Sequence, residues 1–184
     1  SGVADDLFES LRYLLGRLRG GLALAVVVVC TIFAACTGVI GASVVSMGLL
    51  ALPMMIRYGY DKQLTAGTIM AGGTLGILIP PSIMLIVMGD QSGLSVGKLY
   101  IGSVVPGLVL SALYLIYIAT RCGMRPELGP PLSVEESRQV PVKKRLRMAS
   151  ISLFPPALLI IGVLGAIFSG FATATEAAGV GAFL

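Results

Sequence analysis

The sequence predicts an all-α integral membrane protein in which two membrane elements are irregular, a re-entrant helical hairpin and a discontinuous transmembrane helix. Of 184 residues, 56% are hydrophobic and 12% charged, with a mean hydropathy of +0.95, the composition of a polytopic helical membrane protein. The 26 residues from Leu64 to Gly89 carry no charge; as one straight helix they would run to about 39 Å, against a hydrocarbon core of about 30 Å. The 37 residues from Gly20 to Ile56 are also uncharged. They are too many for one span and, once a turn is allowed, too few for two spans of about 20 residues each.

Composition also excludes several chemistries. There is no His and no Trp, and Cys30, Cys36 and Cys122 lack metal-ligand spacing, so no transition-metal site is expected and the cysteines read as small apolar residues. Without His, a GxSG serine or paired membrane aspartates, no nucleophile and base come within reach, which argues against an intramembrane enzyme. The net charge of +4 is no nucleic-acid signal, because seven of the thirteen basic residues fall between Arg121 and Arg147. Positive segments flanking apolar spans mark the cytoplasmic side.

Taken in order, residues 1–19 place Leu7, Phe8, Leu11, Leu14, Leu15 and Leu18 on one helical face, with acids early and Arg12, Arg17 and Arg19 late. That order suits the helix dipole and an amphipathic helix lying at the membrane interface or packing as an arm. In the hairpin of residues 20–56 the turn is legible as Thr37-Gly38-Val39-Ile40-Gly41-Ala42-Ser43. Arg17 and Arg19 before it and Arg57 and Lys62 after it put both ends on one side. An ordinary pair of short spans gives the same parity. At the tip, residues 37–43, the hydroxyls of Thr37 and Ser43 and glycine-exposed backbone are available to a ligand.

Residues 57–93 begin with the polar turn Arg57-Tyr-Gly-Tyr-Asp61 and continue as the discontinuous helix. Gly72, Gly73 and Gly76 withdraw side-chain support, and Pro80-Pro81-Ser82 removes two donors, so the helix is expected to open within 76–82. Backbone freed at membrane depth is tolerated only inside protein or along a polar cavity. Gly72 and Gly76 also form a GxxxG pair, and a kink with small residues serves packing in any membrane bundle; on these residues alone both readings stand. Residues 94–120 hold a conventional span, Leu99 to Thr120, with Tyr114 and Tyr117 near its cytoplasmic end. Residues 121–147 form a charged, Pro-rich cytoplasmic linker. Residues 148–170 hold the next span, whose own pair, Pro155-Pro156, is expected near its beginning, where missing donors matter less. In residues 171–184, Thr173 and Glu176 form a capping box. A start at Ser1 without Met, and a helix that stops about three turns after its cap, lead to the expectation of a piece of a larger protein.

The order of a hairpin with a TG..GAS tip, PMMIRYGYD, a glycine-rich half-helix running into GILIPPS, then SVGKLYIGSVVPGLVL and FATATEAAGVGAF resembles the large membrane subunit of tripartite ATP-independent periplasmic (TRAP) transporters, from about Leu7 to Leu184. The family tip commonly reads SGS. Here Thr37-Gly38-Val39 keeps one hydroxyl and loses another, which bears on side-chain ligation and leaves backbone ligation open. The resemblance implies an elevator-type ion-transporter fold built from two inverted repeats, of which this chain holds the first and the truncated start of the second. It also implies a small membrane subunit, a periplasmic substrate-binding protein, an organic acid substrate and residence in the bacterial cytoplasmic membrane.

On that basis the expected activity is sodium-coupled uptake of a carboxylate, with Na+ as coupling ion and no other cofactor. Sodium is a hard cation that takes oxygen ligands. The candidate ion-binding positions are Thr37, Gly38, Gly41, Ser43, Thr74, Gly76, Pro80 and Ser82, and those for substrate are Thr37, Ser43, Pro81 and Ser82. With no charged side chain in either irregular element, a carboxylate must use helix N-terminal amides, hydroxyls, bound sodium or residues beyond Leu184. An ion channel, whose filters also use re-entrant backbone, and a structural fragment without transport activity are the alternatives.

Overall fold

A computed structural model describes residues 3–131 and 142–183, and all of the regular structure among them is helical. The helices are α1 (Val3–Leu15), α2 (Gly21–Thr37), α3 (Ile40–Arg57), α4 (Lys62–Thr74), α5 (Ile83–Ser92), α6 (Val96–Met124), α7 (Val142–Phe168) and α8 (Ala174–Phe183), with single 3-10 turns at Leu75–Ile77 and Pro126–Leu128. Among the described residues three segments, α3, α6 and Arg147–Phe168 of α7, are long and apolar enough to cross a membrane. Their outward faces are largely apolar, with Leu49 of α3, Val105 of α6 and Ile161 of α7 all more than 60% exposed. Helices bearing such surface belong in lipid or against further protein. The chain is an all-α multi-pass membrane protein.

The centre of the fold is α2. Its sequence is apolar all round, the pattern of a helix enclosed on every side, and Leu22, Ala23, Ala25, Val26, Val27, Val29 and Cys30 are fully buried. It packs against α1, α3, α4, α6 and α7. Thr31 shares a 2.7 Å hydroxyl contact with Ser111 of α6, and it also donates to the Val27 carbonyl of its own helix, so this interior polar pair is satisfied. α3 folds back along α2 and α4. Its residues Ser43, Met47, Ala51 and Met55 recur every four positions and are buried, while Val45, Leu49, Leu52 and Ile56 face outward.

The α1 arm lies on α2 and α7, with Leu7, Phe8 and Leu11 buried. Arg12 donates to the Tyr58 hydroxyl, and its guanidinium stands 5.0 Å and 5.3 Å from the Tyr58 and Tyr13 ring centres. This ties the arm to the α3–α4 turn. The same end of the molecule is knotted by the segment after α6. The Gly20 amide donates to the Gly129 carbonyl, the Asp61 amide to Leu128, and the Leu22 amide in the first turn of α2 to the Tyr60 hydroxyl at 3.1 Å. Asp61 caps α4 by accepting from the Leu64 amide at 2.9 Å. At the other terminus the capping box is formed, with the Thr173 amide 2.8 Å from the Glu176 carboxylate.

Three boundaries differ from expectation. The hairpin turn is confined to Gly38 and Val39, because Ile40 to Ser43 enter α3; two helical arms of 17 and 18 residues result. α6 continues past Thr120 to Met124, and α7 starts at Val142, so helix takes both ends of the expected linker 121–147, whose middle lies outside the described residues. The earlier start puts Pro155 and Pro156 inside α7, not near its beginning, and the helix runs through them. A proline pair alone therefore does not open a helix here. In α7 it follows Leu153 and Phe154, whereas Pro80 follows three glycines among the eight residues before it.

Candidate functional site

The helix of residues 57–93 is interrupted as its glycines and prolines dictate. α4 ends at Thr74, a 3-10 turn covers Leu75–Ile77, and Leu78 to Ser82 are irregular before α5 begins at Ile83. The Pro80–Pro81 peptide bond is cis. The close-packing glycines are Gly72 and Gly73, not the GxxxG pair of Gly72 and Gly76. A Cβ on Gly72 would stand 2.9 Å from the Cys30 sulfur, and one on Gly73 would overlap the Val44 side chain, so these two let α4 approach α2 and α3. Gly76 lies at the break itself, where a Cβ would meet the Val39 carbonyl at 3.4 Å.

The hairpin tip seats on this break. Gly38 has φ of +62°, and a Cβ there would come 2.5 Å from the Pro81 carbonyl oxygen and 3.3 Å from the Ser82 Cα. Only glycine fits both the left-handed backbone and the close approach. The hydroxyls at this junction already hold their protons on backbone. Thr37 donates to the Phe33 carbonyl at 3.0 Å, Ser43 to Val39 at 3.2 Å, and Ser82 to Ile77 at 2.8 Å across the break, while Thr37 and Ser43 lie 3.2 Å apart. A hydroxyl whose proton is committed keeps lone pairs to offer a cation.

Four helix ends converge there. The carbonyl ends of α2 and α4 bring partial negative charge. The amino ends of α3 and α5 bring partial positive charge, and neither has a side-chain cap; their first-turn amides are anion donors in waiting. Among the described residues no charged side chain lines the adjoining cavity of about 240 Å3, which Cys36, Thr37, Pro81, Ser82 and Tyr100 share with α7 and α8.

The structure thus brings together Thr37, Gly38, Ser43, Gly76, Pro80, Pro81 and Ser82, all of which except Thr37 and Pro81 are buried. It does not bring in Thr74 or Gly41. Thr74 is exposed and bonded to its own helix at the Ala71 carbonyl, and Gly41 is exposed, with nothing within 4 Å of the place its Cβ would occupy. Sequence reasoning missed two α6 residues that hold the break. Tyr100, fully buried, donates to the Ser82 carbonyl at 3.3 Å, and Gly107 admits Ile79, whose side chain would lie 2.8 Å from a Cβ there. A tyrosine inside an apolar span needs a hydroxyl partner, and that need is the signal that could have found Tyr100.

The whole chain, residues 1–184, matches the family model "Tripartite ATP-independent periplasmic transporter, DctM component". Among curated relatives it is 40% identical over 183 residues to the C4-dicarboxylate TRAP transporter large permease protein DctM of Pseudomonas aeruginosa, covering 98% of this chain and 40% of that protein. It is 32% identical over 182 residues to the 2,3-diketo-L-gulonate TRAP transporter large permease protein YiaN of Escherichia coli, with 99% and 41% covered. To the ectoine TRAP transporter large permease protein TeaC of Halomonas elongata it is 31% identical over 175 residues, with 95% and 39% covered. The chain spans about two fifths of the length of these relatives.

Proposed function

The chain belongs to the DctM family of TRAP transporter large permeases, and from that premise we propose that it supplies half of a sodium-coupled carboxylate site in such a permease, working in the bacterial inner membrane. The observation that carries this reading is the seating of the hairpin tip on the break of the α4–α5 element, with no charged side chain between them among the described residues. A cation in such a place is held by oxygen alone. The carbonyl ends of α2 and α4 and the hydroxyl oxygens of Thr37, Ser43 and Ser82 are the available set, and backbone at Gly38, Gly76 and Pro80 adds to it. The uncapped amino ends of α3 and α5, beside Pro81 and Ser82, suit a carboxylate, the arrangement by which broken helices hold ion and anion side by side. The dicarboxylate and diketogulonate permeases among its relatives support an organic acid as substrate.

In this reading α2–α3 is the re-entrant hairpin and α4–α5 the discontinuous helix of the first of two inverted repeats in an elevator-type fold. A small membrane subunit and a periplasmic binding protein complete the transporter. The test is uptake of labelled organic acids into proteoliposomes by the full-length permease with both partners, with and without a sodium gradient. Expected is uptake that needs both sodium and the binding protein. Thr37→Ala and Ser82→Ala should each raise the sodium concentration for half-maximal uptake, by up to about tenfold for the loss of about 1.4 kcal/mol of ligation. Uptake indifferent to sodium sinks the coupling proposal; unchanged sodium dependence in both variants removes these hydroxyls from the ligand set.

A further inference from the structure

A second, larger cavity takes no part in that chemistry. It is a groove of about 670 Å3 between α4 and α6, floored by Val27 of α2. Its polarity is graded along its length. Among the described residues the charged groups on its walls are Asp61, Arg121 and Arg125, all at the end where α4 begins and α6 finishes, while the walls beyond, including Ala71, Leu110 and Leu113, are uncharged. The Asp61 carboxylate is already engaged by the Leu64 amide. Arg121 and Arg125 stand one helical turn apart, are exposed, and form no ion pair among the described residues. They open the basic stretch that marks the cytoplasmic side.

We propose that this groove binds an anionic phospholipid of the cytoplasmic leaflet, its phosphate on Arg121 and Arg125 and an acyl chain along the apolar walls toward Leu110. Guanidinium forks match phosphate geometry. Basic pockets between transmembrane helices on the cytoplasmic side take anionic headgroups, and Tyr114 and Tyr117, both on the groove wall, are the amphipathic residues suited to the boundary between headgroup and chain. Gly67 faces open space in the groove, since a Cβ at that position would meet nothing within 4 Å.

The test uses the full-length permease with its small subunit in nanodiscs carrying photoactivatable phosphatidylglycerol or, separately, photoactivatable phosphatidylcholine at equal mole fraction, with adducts mapped by mass spectrometry. Phosphatidylglycerol adducts are expected on α4 and on α6 between Leu110 and Arg125, in clear excess over phosphatidylcholine. Arg121→Gln with Arg125→Gln should lower the phosphatidylglycerol yield by about fivefold per arginine. Gly67→Leu, which puts bulk into the groove away from the two arginines, should lower labelling by both lipids. Equal labelling by the two lipids in the wild type, or an undiminished phosphatidylglycerol yield in the double variant, overturns the proposal. So does an unlabelled groove that crosslinks instead to another segment of the full-length chain.

Discussion

Gly38→Ala is expected to unseat the hairpin tip from the helix break. The glycine sits at φ +62°, where an L-residue costs about 1–2 kcal/mol. Its new methyl would lie 2.5 Å from the Pro81 carbonyl oxygen, with the Ser82 Cα at 3.3 Å. Both are main-chain atoms, so no rotamer change makes room, and either the tip or the break must move, at about 1–3 kcal/mol for overpacking of this kind. A total of about 2–5 kcal/mol exceeds what a seated tip can absorb without shifting. Gly41→Ala is the matched control three residues on. It lies inside α3 in open space, where alanine gains about 0.5–1 kcal/mol over glycine. The assay pairs thermal unfolding of the full-length permease with sodium-dependent uptake in proteoliposomes. Gly38→Ala should lower the unfolding temperature and abolish or strongly weaken the sodium response, while Gly41→Ala keeps both. If Gly38→Ala unfolds and transports like the wild type, the tip does not rest on Pro81, and the site built on that contact is wrong.

Tyr100→Phe removes the hydroxyl that holds the Ser82 carbonyl; it should raise the sodium concentration for half-maximal uptake more than it lowers maximal rate, and an equal fall in rate at saturating sodium would reduce Tyr100 to packing. Tyr60→Phe leaves the buried Leu22 amide without its acceptor and should cost about 1–3 kcal/mol in thermal or denaturant unfolding; no change would mean that amide has another partner. Burial pushes the Tyr60 hydroxyl up to about 12, so it stays protonated and this cost should not vary between pH 6 and about 9. Of the three cysteines, Cys30 and Cys122 are buried and Cys36 lines the smaller cavity. Maleimide should therefore modify Cys36 first, and sodium with substrate should slow that reaction; labelling at the same rate with and without them would place the ligands elsewhere.

Much of this was legible in the residues, for identifiable reasons. An uncharged stretch too long for a bilayer and interrupted by three glycines and a proline pair leaves few options, and the α-helix gives way from Leu75 to Ser82 against an expected 76–82. The capping box at Thr173 formed because its two partners are local. The turn at Gly38 was placed too broadly, since Gly41 and Ser43 are as turn-like by composition as Gly38, yet only Gly38 takes positive φ. The break in one Pro-Pro element and the continuity of another depended on the turns preceding each, and the start of α7 was not marked by apolarity, because its first residues are basic.

Local chemistry thus determined the material of this protein by itself. It settled the helical membrane character and the interruption of the helix between Thr74 and Ile83, which follow from composition, bilayer thickness and backbone donors counted along the chain. Only the tertiary structure decided which helix became the core and which residues meet. α2 and α7 are both strongly apolar, yet α2 is enclosed and α7 largely faces outward. Thr37 and Ser82 share one cavity while Thr74 stays outside it, and Tyr100, eighteen residues from Ser82, holds its carbonyl. The reason is that a hydroxyl or carbonyl is a ligand only where another element's backbone closes on it, and that closure is set by packing across helices distant in sequence.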